Sequence, residues 1–250
     1  MSSKSRGIKI GLLGLGVVGS GVAQALVKRN PVIEHQLGSS LDISAVLVRD
    51  KGKQRHVSDL DHLLTTNPAD VIDNPEIDII VEVMGGEIPA LDFVSRAIDN
   101  KKHIVTANKE LISKHGIDLM VRASQNKVCI KFEASVGGGI PIIRPVMEDL
   151  AGNDVRAIRS IINGTTNYIL SQMVQRGIGL DEALSEAQEL GYAEPDPTND
   201  IEGIDSAYKL SILASLAFKT RVRDVDVHRD GISTLNAKDI RYAGQLGYTI

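Results

Sequence analysis

Ile8-Lys9-Ile10-Gly11-Leu12-Leu13-Gly14-Leu15-Gly16-Val17-Val18-Gly19 begins as a short β-prone run, passes through three spaced glycines, and continues into the helix-like Val17 to Arg29. A Gly-x-Gly-x-x-Gly turn between a strand and a helix is the context that a dinucleotide fingerprint requires. Gly14 allows the tight turn, Gly16 lets backbone approach a pyrophosphate, and Gly19 permits close packing of the helix. The anion then rests at the helix N-terminus. A glycine-rich turn that holds no ligand is the plain alternative, and the surrounding pattern weighs against it.

Further strand-like runs follow at Ile43 to Val48, Ile77 to Met84, His103 to Ala107 and Val128 to Glu133, with a helical stretch at Ala90 to Asn100. This alternation predicts a βαβ series with a parallel sheet. Gly137-Gly138-Gly139-Ile140-Pro141 punctuates the chain after the last of these strands. The expected fold class is therefore α/β, with a Rossmann-type parallel sheet over residues 1–137 and a second α+β domain over 138–250. In that second part Val155 to Ile162 reads as a strand, and Thr165 to Gln175 and Asp181 to Leu190 read as helices. Asn199 and Glu202 resemble a capping box, which places a helix start near Asn199 or Asp200 and its continuation through Leu210 to Phe218. Gly247 to Ile250 is β-prone and ends without a turn, as if the chain were cut inside a strand.

The 250 residues are 42% hydrophobic and 24% charged, with a formal net charge of −4, an ordinary globular composition. Lys and Arg are scattered, so no footprint for nucleic acid is visible. Neither a signal peptide nor a membrane span is supported, and the expected location is the cytoplasm. The single cysteine, Cys129, is expected to pack inertly in a strand, since one cysteine can build neither a disulfide nor a thiolate metal site.

Four places carry candidate chemistry. Arg49 and Lys51, after the second strand, could clamp a ribose 2′-phosphate and favour NADP, whereas Asp50 between them could serve NAD. Thr106-Ala107-Asn108-Lys109 lies at the carboxyl edge of the expected sheet, where open α/β folds bind ligands. In Asn163-Gly164-Thr165-Thr166-Asn167, Gly164 lets backbone approach a ligand, and Thr165 or Thr166 can cap a helix whose first N–H groups face a carboxylate. Leu190 to Leu210 holds five acids around Pro195 and Pro197, with Asp205 and Lys209 as i, i+4 neighbours on one face. An ordinary solvated ion pair is the plain reading of such a helix start.

Taken together, Gly14-x-Gly16-x-x-Gly19, Thr106 to Lys109, Glu133 to Pro141, Asn163 to Ile169 and Gly191-Tyr192-Ala193-Glu194-Pro195-Asp196-Pro197 with Asp205 and Lys209 resemble homoserine dehydrogenase over essentially the whole chain. The resemblance implies interconversion of L-homoserine and L-aspartate 4-semialdehyde by a homodimer using NADP, with NAD possible. It implies a cofactor-binding set of Gly14, Gly16, Val17, Val18, Gly19, Arg49, Lys51, Thr106 and Lys109. It further implies a Na⁺ site made of the main-chain carbonyls of Glu133, Val136, Gly138 and Ile140. Homoserine is a zwitterion, so its ammonium calls for carboxylates, its carboxylate for N–H donors and its hydroxyl for an acid/base group. Glu194 and Asp200 are expected at the amino-group end, and Gly164, Thr165 and Tyr192 at the carboxylate end. Lys209 is the expected proton carrier, oriented by Asp205, with Lys109 as the other candidate. A lysine titrating near 10.4 needs its pKa lowered by roughly two to three units for this task, which Asp205 alone would not provide. The family also continues beyond this point with a segment that returns to the nucleotide-binding domain. A catalytically silent NAD(P)-binding fragment, and an amino-acid dehydrogenase acting at the α-carbon, are the other readings that the residues allow.

Overall fold

The structure is a computed structural model that describes residues 6–55 and 57–250. The first five residues, on which the signal-peptide reading rests, lie outside it. The chain divides between Arg144 and Pro145 into two compact units.

The first unit carries β1 (Ile8–Leu13), α1 (Val17–Leu37), β2 (Leu41–Leu47), β3 (Leu64–Thr65), α2 (Ala69–Ile72), β4 (Ile79–Glu82), α3 (Ala90–Asp99), β5 (His103–Thr106), α4 (Lys109–Gln125) and β6 (Ile130–Lys131). The strands form one six-stranded parallel sheet in the order β3-β2-β1-β4-β5-β6, the Rossmann-type arrangement expected. Ile10, Leu12, Val46 and Val81 pack with Ala23 of α1 in one apolar cluster. Leu13, Leu47, Ile80 and Ile104 pack with Val71, Val94, Ile98, Leu111 and Leu119 of α2, α3 and α4 in another. Both faces are thus covered, which is why these strands read as nearly continuous apolar runs. The strand order reverses between β1 and β4, so the carboxyl ends of these two strands frame the crevice where such sheets take ligands.

Two expectations shift in this unit. α1 continues through Pro31, well past the expected end at Arg29, and closes on Gly38, whose N–H donates to the Glu34 carbonyl at 2.8 Å. Proline costs the helix one backbone donor, and here the helix runs on to its glycine cap. Cys129 is exposed, contrary to the core packing expected. Its parity explains this: Val128, Ile130 and Phe132 turn inward, and Cys129 shares the outward side with Lys127 and Lys131.

In the second unit α5 (Gly164–Arg176) and α6 (Leu180–Glu189) pack as a hairpin around Ile169, Met173, Ala183 and Ala187. α7 (Thr198–Ile201), α8 (Ile204–Ala217) and α9 (Ala237–Gln245) complete it. The single helix expected from Asn199 is broken in two. Gly203 adopts φ +70° between α7 and α8, a conformation that L side chains avoid, so the long helix starts after it. Asn199 therefore lies inside α7, whose N-cap is Pro197, and the Asp196 side chain accepts from the Thr198 N–H and hydroxyl in the turn before it. The strand expected at Val155 to Ile162 is not formed, nor is one at Gly247 to Ile250. A strand needs a neighbouring ladder, and among the described residues of this unit everything else is helical or irregular, so no edge is offered. No helix among the described residues is long and apolar enough to cross a membrane.

Candidate functional site

The first candidate centre is the carboxyl edge of the parallel sheet. Leu47, Leu13, Glu82 and Thr106 stand in one row across β2, β1, β4 and β5, so the turns that follow these strands emerge side by side. Gly14 takes φ +100° and its N–H donates to the Leu47 carbonyl at 3.0 Å. A Cβ on Gly19 would stand 2.2 Å from the Gly14 carbonyl oxygen, so only glycine lets α1 start this close to the turn. A Cβ on Gly16 would meet nothing within 4 Å, and Val17 is 93% exposed. The first N–H groups of α1 thus face open space with no acidic side chain in the first turn, which suits a pyrophosphate.

After β2, Arg49 and Lys51 are exposed, while Asp50 closes its own turn by accepting from the Gly52 N–H at 2.7 Å. Arg55 donates to the Asp50 carbonyl at 2.5 Å, a third cation at this turn that the sequence reading did not single out. After β5, the Thr106 hydroxyl is buried and donates to Glu82 at 2.6 Å. Asn108 caps α4 by accepting from the Leu111 N–H, which leaves Lys109 as the first residue of that helix, half-buried.

The glycine-rich turn beyond β6 is held by a side chain for which the sequence offered only a carbonyl role. The Glu133 carboxylate accepts from the N–H groups of Ile142, Ile143 and Arg144. Burial pushes this carboxyl up, but the three backbone donors and the Arg144 charge outweigh it and hold it below the usual glutamate range. The stability these bonds contribute is present above about pH 4.3 and fades as pH falls through the lowered folded value. Glu133→Gln is therefore expected to lower the melting temperature at pH 7, with the gap to wild type narrowing below about pH 4. Thermal scans of both proteins between pH 7 and pH 3 check this, and a gap that stays constant would refute it. Gly138 adopts φ +59°, and a Cβ on Gly137 would stand 2.4 Å from the Ile140 carbonyl oxygen, so this turn is tightly wound.

The second candidate centre joins α5, α7 and α8 within the second unit. Lys209 sits one turn beyond Asp205 on α8, and the two pair at 2.8 Å. Asp205 is 1% exposed and Lys209 17%, so this is no solvated surface pair. Lys209 also donates to the Ile162 carbonyl at 3.2 Å. Asn163 organises the group. Its Oδ1 caps α5 by accepting from the Thr166 N–H at 2.8 Å, and its Nδ2 donates to Asp200 at 2.7 Å and Asp205 at 2.9 Å. Neither Thr165 nor Thr166 caps α5, as had been expected. Asn163 is the shortest reach to the first turn, and the threonine hydroxyls bond instead to the Tyr192 and Asp200 carbonyls. The Tyr192 ring meets Tyr168 in a tilted contact, with centroids 5.0 Å apart, and Gly164, as the first residue of α5, is exposed. Glu194 is exposed and lies outside the group that Asn163 joins, with its carbonyl accepting from Gln188. A cavity of about 450 Å³ opens beside Thr166 and Asp200, lined also by Ile162, Ala207 and Leu210.

Glu82 and Asn163 are the residues whose roles the sequence did not disclose. A carboxylate inside the apolar run Ile79-Ile80-Val81-Glu82-Val83-Met84 was the available signal for the first. For the second there was only its place before a helix.

The glycine turn at the carboxyl edge of a six-stranded parallel sheet places the first unit in the class of Rossmann-type dinucleotide-binding folds. Residues 14–133 match the family model described as homoserine dehydrogenase, NAD binding domain, and residues 141–250 match the homoserine dehydrogenase model. The homoserine dehydrogenase of Synechocystis is 47% identical over 97% of this chain and 56% of its own length. The crystal structure of a Thiobacillus denitrificans homoserine dehydrogenase superposes with a TM-score of 0.89 at 45% identity, covering 98% of this chain and 57% of that one. An Archaeoglobus fulgidus structure provisionally assigned to the same family gives 0.85 at 31% identity, covering 97% of this chain and 78% of that one. The chain belongs to the homoserine dehydrogenase family, and it spans somewhat over half the length of the curated relatives it matches.

Proposed function

We propose that this protein interconverts L-homoserine and L-aspartate 4-semialdehyde with NADP, a step toward threonine, methionine and isoleucine, in the cytoplasm. The observation that carries the reading is the pair of Lys209 with the buried Asp205, which Asn163 cross-links to Asp200. Lys209 takes the hydroxyl proton of homoserine as hydride leaves C4, and Asp205 holds the lysine in place. Asp200, with Glu194 from the exposed loop, receives the ammonium, and the N-terminus of α5 at Gly164 and Thr165, beside Tyr192, receives the carboxylate. NADP bound along Gly14, Gly16, Val17, Val18 and Gly19 supplies the hydride acceptor. Thr106 and Lys109 belong to the same nucleotide edge, and Lys109 is the alternative proton carrier. NADP is preferred over NAD because Asp50 is engaged in its own turn while Arg49 and Lys51 are exposed. The reading extends to Na⁺ on the carbonyls of Glu133, Val136, Gly138 and Ile140. It extends also to a homodimer, for which the exposed Ile161, Leu246 and Tyr248 provide apolar surface.

Initial rates with L-homoserine and either nucleotide test this. Homoserine-dependent reduction without ammonia release, faster with NADP⁺, is the expected result. Release of ammonia would instead place the reaction at the α-carbon, and NADPH binding without any homoserine-dependent reduction would mark a silent nucleotide-binding fragment.

A further inference from the structure

Glu82 is a fully buried carboxylate, 0% exposed, that the proposed reaction does not use. A carboxylate out of water is costly unless its oxygens are hydrogen-bonded. Both are: Oε1 accepts from the Met84 N–H at 2.8 Å, and Oε2 accepts from the Thr106 hydroxyl at 2.6 Å. The donors are neutral, one from the turn after β4 and one from the end of β5. With its hydroxyl proton committed to Glu82, Thr106 is left to accept from the Asn108 N–H at 3.0 Å. Asn108 then caps α4 with its oxygen and donates its Nδ2 to the Gly86 carbonyl at 2.7 Å. The connections form a ring: Glu82 to Met84, along the chain to Gly86, across to Asn108, to Thr106, and back to Glu82. Gly85 and Gly86 both adopt positive φ, at +73° and +74°, and the next residue, Glu87, pairs with Lys114 and His115 further along α4.

Glu82 also stands in register with Leu13, the residue before the Gly14 turn, and the Val83 N–H donates to the Leu13 carbonyl at 3.0 Å. β4 is the neighbour of β1 at the point where the strand order reverses. A Rossmann edge needs no carboxylate there for folding, since an apolar side chain would fill the site at lower desolvation cost.

We infer that Glu82 is a positioning residue. It fixes the Gly85–Gly86 loop and the Lys109-bearing start of α4 against each other, so that the edge is pre-shaped for the nicotinamide half of the nucleotide. This rests on the nucleotide-binding reading of the first unit and adds to it a residue that touches neither nucleotide nor substrate.

The test measures NADPH dissociation constants and melting temperatures on the 250-residue chain for wild type, Glu82→Gln, Thr106→Val and Thr106→Ser. Glutamine keeps one acceptor and the side-chain shape, but it cannot accept from both Met84 and Thr106. Glu82→Gln and Thr106→Val are each expected to weaken NADPH by about tenfold or more, the scale of one lost charge-assisted hydrogen bond. Thr106→Ser, which retains the hydroxyl, is expected to bind tighter than Thr106→Val by about fivefold or more. The double variant Glu82→Gln/Thr106→Val is expected to be little weaker than either single one, because both break the same ring. A fall in melting temperature with NADPH affinity unchanged would show a merely structural carboxylate and overturn the inference, as would additive losses in the double variant. If wild type fails to bind NADPH, it is the nucleotide reading that falls.

Discussion

Replacing Lys209 by alanine is expected to lower kcat/KM for L-homoserine by about 10²–10⁴-fold, the usual worth of a positioned acid/base group, while NADPH binding persists. Lys209 pairs with the buried Asp205 at 2.8 Å and also donates to the Ile162 main-chain carbonyl. An amine held in this way is aimed by two partners, and proton exchange with an alcohol requires such positioning. Lys209→Ala also leaves a 1% exposed carboxylate with one charged partner fewer, so a loss of about 1–3 kcal/mol of stability accompanies it. Lys209→Arg separates the two effects. Arginine maintains the ion pair with Asp205 but stays protonated at all working pH, so the fold is retained and turnover still collapses. Steady-state rates with melting curves for both variants check this. Either variant retaining more than about a tenth of wild-type turnover would transfer the proton-transfer role to another group, Lys109 first.

The second large effect divides two glycines that sit three residues apart. Gly19→Ala would push a Cβ to 2.2 Å from the Gly14 carbonyl oxygen and 3.2 Å from Val83 Cγ2. The first obstacle is backbone, in a residue already at φ +100° and hydrogen-bonded to Leu47, so α1 or the turn must move. Overpacking of this kind costs about 1–3 kcal/mol, and the displaced turn loses its pyrophosphate geometry. Gly16→Ala meets nothing within 4 Å and has an ordinary φ of −83°, so the melting temperature is expected to hold. Its methyl nevertheless projects into the open space that the proposed pyrophosphate would fill, and NADPH affinity is expected to drop by about tenfold or more. Thermal melts paired with NADPH titrations distinguish the two: both observables fall for Gly19→Ala, and only affinity falls for Gly16→Ala. Full NADPH affinity in Gly16→Ala would remove the turn from the nucleotide site.

The parallel sheet was legible because its strands are short apolar runs separated by helical periods, and its glycine turn falls where the first strand ends. Asp205 and Lys209 were legible as an i, i+4 pair, and their spacing alone put them on one face. Their burial was not, since an identical spacing occurs on solvated helices, and only the packing of Ile162 and Asn163 against α8 encloses them. Asn163 shows the same limit: its capping role is local, whereas its two carboxylates lie 37 and 42 residues away in sequence. The Val155–Ile162 expectation failed for a related reason. β-propensity records what fits a pleated surface, but a strand exists only where a neighbour accepts its N–H groups.

Local sequence, then, determined the dinucleotide-type glycine turn and the parallel α/β unit behind it, because these depend on backbone freedom and periodicity over a few residues. Tertiary structure alone decided that Gly203 splits the acidic helix, that Cys129 faces out with its lysine neighbours, and that Asn163 ties Asp200 to the Asp205–Lys209 pair. It also decided that Glu82 closes a ring with Thr106 and Asn108. Burial and long-range hydrogen bonding set these outcomes, and both depend on segments that meet only when the sheet and the helices have packed.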